Sequence, residues 1–79
     1  MRVANKLRAL RTEGGFSLRA LSSILTDAGA KVSYPAINHW EAGRSLPSAS
    51  VLVAYADVFD LKLGPLVRLV VAEKRRAKV

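Results

Sequence analysis

An all-α domain of five short helices is the fold class that the sequence predicts, on three observations. Apolar residues recur at i, i+3 and i+4 rather than in alternation, serines stand directly before several of those stripes (Ser17, Ser33, Ser48), and glycines close them. At 79 residues the chain is one domain, near the lower end of what a single core stabilises. Its composition, 51% apolar against 24% charged, is that of a folded globule and not of a disordered segment.

Val3, Leu7 and Leu10 lie at i, i+4, i+7 with Lys6 and Arg8 off the stripe, which predicts a first amphipathic helix ended by Gly14-Gly15. Ser17 caps a second helix, Leu18 to Ala28, in which Leu21, Ile24 and Leu25 keep the spacing until Gly29. The third is short, bounded by Ser33 and Gly43, with Pro35 tolerated in its first turn and Ile37 and Trp40 on its inward side. Arg44 to Pro47 reads as a loop. Ser48 then caps a fourth helix with an inner face of Val51, Leu52, Tyr55, Ala56 and Phe59, ending near Asp60. Gly64-Pro65 punctuates again, Pro65 is placed as the first residue of a fifth helix, and its stripe of Leu66, Leu69 and Val70 runs into a basic tail expected to fray. Val and Leu alternate enough over Leu66 to Val71 for a strand to compete there, and nowhere else.

The charge is +7, from 13 basic and 6 acidic residues, and its placement says more than its total. Arg2, Lys6, Arg8 and Arg11 crowd the start; Lys74, Arg75, Arg76 and Lys78 against Glu73 crowd the end; the middle is balanced. That is the footprint of a polyanion binder, nucleic acid first and an acidic membrane surface second. The absence of cysteine excludes a disulfide framework and a Cys-based zinc site, so the extra support that so small a domain needs is expected from packing or from a second copy of the chain. The apolar run near the C-terminus is interrupted by Arg68 and is too short for a bilayer, and the first ten residues lack a signal-peptide core. The expected location is the cytoplasm, on the nucleoid, or a host's cytoplasm if the gene is phage-borne.

Taken together, Leu7-Arg8-Ala9-Leu10-Arg11, a glycine turn, Ser17-Leu18-Arg19-Ala20-Leu21, the segment Ile37-Asn38-His39-Trp40-Glu41-Ala42-Gly43, Pro47 and the Leu52 to Phe59 helix resemble the Cro/C1-type (XRE-like) helix-turn-helix family over about residues 3 to 66. The resemblance implies a compact five-helix bundle of the lambda-repressor-like DNA-binding type, with residues 1–66 as the helix-turn-helix domain and 67–79 as a C-terminal helix and basic tail. It also implies that Glu41 pairs with Arg11, since those positions carry the family's ion pair. Two departures are visible. Leu21 to Ile37 is several residues longer than a turn of 3 to 4 residues allows, so the angle between helices two and three depends on how that longer turn is built. Leu18 stands where relatives often place a glutamine, which removes one polar contact to DNA.

A recognition helix buries one face and offers the other to the groove, so the spacing that turns Ile37 and Trp40 inward turns Pro35, Asn38 and His39 outward. Asn38 is the first choice as base reader, because its amide pairs bidentately with adenine N6 and N7. His39 offers a donor to phosphate or guanine, against the plainer reading of an exposed histidine. Tyr34 stacks or bonds near the backbone, or else packs over Trp40; Pro35 and Ala36 offer apolar contact to a thymine methyl. Ser17 is a cap whose helix start also presents N–H groups to a phosphate, with Arg19 adding charge. Arg44 follows the recognition helix, where the resemblance implies a grip on the backbone and the alternative is a solvated loop arginine.

One histidine, no cysteine, no glycine-rich phosphate loop after a strand and no paired carboxylates in an apolar pocket speak against an enzyme and against a metal site. No cofactor and no small-molecule ligand are expected. The expected partners are double-stranded DNA and a second copy of the chain, as a repressor-like or Cro-like dimer on a near-palindromic operator; no membrane partner is expected. An antitoxin-type interaction module with autoregulatory DNA binding is the alternative, and a non-specific basic binder of RNA or membrane is a third.

Overall fold

The structure is a computed structural model and describes residues 2–77, so Lys78 of the basic tail lies outside the described residues. The helical stripes become α1 (Val3–Glu13), α2 (Leu18–Asp27), α3 (Tyr34–Glu41), α4 (Ala49–Val58) and α5 (Leu63–Ala77), with no strand among the described residues. The hydroxyl of Ser17 accepts the Ala20 N–H at 3.0 Å and that of Ser33 accepts the Ala36 N–H at 3.4 Å, each satisfying one orphan donor of the first turn. Ser48 holds the cap position of α4 but makes no capping bond; its hydroxyl lies 3.1 Å from that of Ser50.

The fifth helix differs from its expectation in two ways. It starts at Leu63, so Pro65 is its third residue, a position that proline tolerates because first-turn N–H groups have no intrahelical acceptor. It also continues as one helix to Ala77, which removes the competing strand over Leu66 to Val71. Glu73 anchors it: its carboxylate accepts the Val3 N–H and so caps the start of α1.

Each helix packs mainly on two others. α1 lies against α3 and α5, α2 against α3 and α4, and α4 against α5, so the contacts close a ring around one core. α1 contributes Val3 and Leu7, α2 Leu21 and Leu25, α3 Ile37 and Trp40, and α5 Leu66 and Val70. α4 is buried on most of its circumference: Ala54 joins the expected Val51, Leu52, Tyr55 and Ala56, while Phe59 is only half-buried at its C-cap. The radius of gyration, 11.7 Å, equals the roughly 11.6 Å expected of one domain of this length. Among the described residues no helix is long and apolar enough to cross a membrane.

The long connection between α2 and α3 is an out-and-back excursion. α2 runs to Asp27, Gly29 takes φ +106°, and the Ala30 N–H closes on the Leu25 carbonyl, so the chain reverses at once. It then returns along α2. Ser22 donates its hydroxyl to the Val32 carbonyl at 2.6 Å, and Thr26 lies against the Val32 backbone at 3.4 to 3.5 Å. Ala30 and Val32 are buried on the way, and Tyr34, the first residue of α3, arrives beside Arg19 near the start of α2. The added residues are consumed lengthwise, and α3 begins next to the first half of α2.

Candidate nucleic-acid interface

The rotation of α3 about its axis follows from what holds its inner side. Ile37 is fully buried, and the Trp40 ring meets Tyr55 edge-on at 6.5 Å. Tyr55 in turn stacks on Phe59, which meets Phe16 edge-on, giving an aromatic run from α3 through α4 to the turn after α1. One residue beyond Trp40, the Glu41 carboxylate takes two hydrogen bonds from Arg11, Nε at 2.8 Å and Nη2 at 2.9 Å, while Nη1 donates to the Phe16 carbonyl at 3.0 Å. The pair implied by the family resemblance is therefore present, bidentate and largely shielded, with side chains 17% and 6% exposed. The hydrogen bond to Glu41 holds the Arg11 guanidinium above its ordinary pKa, against the opposing effect of burial. Burial pushes the Tyr55 hydroxyl far up as well, aided by the nearby Glu41 charge and opposed by Arg11; that hydroxyl is buried without a hydrogen-bond partner.

With that side fixed, Pro35, Asn38 and His39 are exposed on the opposite face of α3. Tyr34, 41% exposed, forms no aromatic pair with Trp40 among the described residues. Its ring lies under the Arg19 guanidinium, 4.6 Å from carbon to centroid, with Nη2 3.5 Å from the hydroxyl. Periodicity could not foresee this contact, since it depends on the excursion returning α3 to the start of α2. Ser17 sits one turn away at the head of α2, and with its hydroxyl committed to Ala20 the N–H groups of Leu18 and Arg19 have no intrahelical acceptor. Arg44 is exposed just past α3, where Gly43 at φ +76° lets its N–H close on the His39 carbonyl. All seven residues singled out in the sequence, Ser17, Arg19, Tyr34, Pro35, Asn38, His39 and Arg44, are exposed. Arg19 and Tyr34 join the start of α2 to the start of α3, while Arg44 stands at the far end of α3.

Among the described residues no cluster of three or more His, Cys, Asp or Glu could hold a metal ion. The geometry is a short helix locked from behind, its outer face lined by an amide, an imidazole and a proline, with arginines at both ends. A family model described as helix-turn-helix matches residues 7–66, about three quarters of the chain. The chain belongs to the Cro/C1-type helix-turn-helix family. That makes it a DNA-binding regulator of transcription, with α2 and α3 as the helix-turn-helix pair. The family match ends at residue 66, inside α5, whose remaining turns carry Lys74, Arg75 and Arg76. Neither the curated proteins nor the solved structures yield a match.

Proposed function

We propose that the chain is a repressor-like or Cro-like regulator that reads a specific operator by inserting the Pro35, Asn38 and His39 face of α3 into the major groove. The observation that carries this reading is that face itself: it is exposed while the Arg11–Glu41 pair and the Trp40–Tyr55 contact fix its direction from behind. A helix that reads base edges must be held this firmly, because a bidentate contact tolerates little rotation. Asn38 is the base reader, with His39 and Pro35 beside it. Ser17 and the free N–H groups of α2 take a phosphate, Arg19 supports Tyr34 at the groove edge, and Arg44 grips the backbone past α3.

The operator is bound by a C2 dimer on a near-palindrome with half-sites about 34 Å apart or a multiple of that. Residues 1–66 form the DNA-reading unit, and 67–79 add cations and apolar contact surface. On α5, Leu63, Val67 and Val71 follow one another at i, i+4, i+8, each 38 to 40% exposed, which leaves an apolar stripe flanking the face that buries Leu66 and Val70. Selection of bound sequences from random duplex DNA tests specificity, and sedimentation of the free and operator-bound protein tests the dimer.

On the selected site, Asn38→Ala is expected to lose about 1 to 3 kcal/mol and to relax preference at one base pair, with little change on scrambled DNA. Arg44→Ala is expected to weaken both DNAs together and to lower the salt slope by about one per protomer. Full discrimination retained by Asn38→Ala would refute the assigned face.

A further inference from the structure

The excursion between α2 and α3 has no place in the scheme above, although it lies directly before the helix that reads DNA. Its path is fixed. The reversal at Gly29, the bond from Ser22 to Val32, the Thr26 contacts and the buried Ala30 and Val32 side chains hold it at both ends and in the middle. Lys31 sits between those two buried residues and is exposed. In an extended return segment, neighbours of an inward residue point outward, so the backbone aims Lys31 away from the core. Lys31 forms no salt bridge among the described residues, and it precedes Tyr34, the first residue of α3, by three positions.

A helix that enters the major groove by its N-terminus is preceded by chain that must leave the groove past a phosphate strand. In this protein that chain is the return segment. We infer that Lys31 is a DNA phosphate contact, and that the excursion is a rigid arm that adds this grip beside the N-terminus of the recognition helix. Arg19 lies against Tyr34 at the entering end of α3, Lys31 precedes that end by three residues of the return segment, and Arg44 follows the leaving end. A mobile lysine loses rotamer and backbone freedom on binding; here the backbone part is already lost on folding. The contact carries no base information, so it raises affinity for every sequence alike.

The inference rests on α3 as the groove helix, and the experiment separates the two. Lys31→Ala, Lys31→Arg and Arg44→Ala are titrated on the selected operator and on scrambled duplex across 50 to 200 mM salt, roughly the range over which phosphate contacts are resolved. Lys31→Ala is expected to weaken both DNAs, with a log–log salt slope shallower by about 0.9 per protomer, so that its deficit narrows roughly 3- to 4-fold over that range for each protomer and roughly 12-fold for the dimer. Lys31→Arg is expected to keep the slope, and both variants the melting temperature. An unchanged slope for Lys31→Ala beside a reduced one for Arg44→Ala overturns the Lys31 contact alone. Unchanged slopes for both, with Asn38→Ala also silent, overturn the α3 reading and this inference with it. A lowered melting temperature with an unchanged slope would make Lys31 a charge serving the C-terminus of α2, and overturns the contact as well.

Discussion

Removing Arg11 is expected to destabilise the domain more than removing the charge of Glu41, although the two residues share one ion pair. Arg11→Met leaves the Glu41 carboxylate, 6% exposed, without the guanidinium that supplies both of its hydrogen bonds. A carboxylate stranded this way costs about 3 to 5 kcal/mol. Glu41→Gln leaves a guanidinium that is 17% exposed and still donates to the Phe16 carbonyl at 3.0 Å, and the new amide oxygen accepts one of the lost bonds. That loss is expected at about 1 to 2 kcal/mol. The attraction of two unit charges about 4 Å apart at an effective dielectric of 20 is near 4 kcal/mol, from which desolvation subtracts, so a coupling of about 2 kcal/mol is expected, above the ~1 kcal/mol ceiling of surface pairs. Urea unfolding of the wild type, both single variants and the double variant measures it. Trp40 is the single tryptophan and lies next to Glu41 in the core, so its emission reports the region directly. Coupling below about 0.5 kcal/mol, or a cost for Glu41→Gln equal to that of Arg11→Met, would refute the reasoning. The first result would mean that the pair does not fix α3; the second, that Phe16 does not hold the guanidinium in place.

Tyr55→Phe removes a buried hydroxyl that has no partner, so near pH 7 it is expected to be neutral or to stabilise by up to about 1 kcal/mol. In the wild type the folded Tyr55 keeps its proton above the ordinary value of 10.0 that the unfolded chain shows, so its contribution to stability is intact below pH 10 and is lost as pH rises beyond it. The fall approaches about 1.4 kcal/mol per pH unit, and denaturation of wild type and Tyr55→Phe at pH 8 to 11 should show it lost in the variant. Gly29→Ala meets no atom within 4 Å, so its whole cost is that of a side chain at φ +106°. A loss of about 1 kcal/mol or more by thermal melting is expected, and a neutral result would mean that the reversal after α2 is built differently.

The elements of the fold were legible wherever one local rule decided them. The stripes of α1 and α2, the caps at Ser17 and Ser33 and the reversals at Gly29 and Gly43 all follow from spacing and side-chain size. α4 was under-read: its stretch from Pro47 to Val58 carries a single charge, Asp57, and burial reached Ala54 in addition to the stripe. The start of α5 was misplaced because Gly-Pro usually interrupts a helix, whereas within a first turn the missing proline N–H removes no bond. The outward face of α3 was legible from Ile37 and Trp40 alone. The partner of Tyr34 was not, because a guanidinium fifteen positions earlier reaches it only after the chain has doubled back.

That doubling back also accounts for how a long connection leaves a helix-turn-helix intact. Ser22 and Thr26 lie off the apolar stripe of α2, and their hydroxyls bind the Val32 backbone and fix where the return segment ends. What aims α3 lies outside the excursion: Arg11 on α1, Tyr55 on α4, and Arg19 and Ser22 in the first half of α2. Both ends of the arm are bound to α2, at the Ala30 N–H to Leu25 and at Val32 to Ser22 and Thr26, so the place where α3 starts is tied to α2 itself. The direction of α3 and the path of the connection before it are thus set by different residues: Arg11 and Tyr55 hold the one, Ser22 and Thr26 the other.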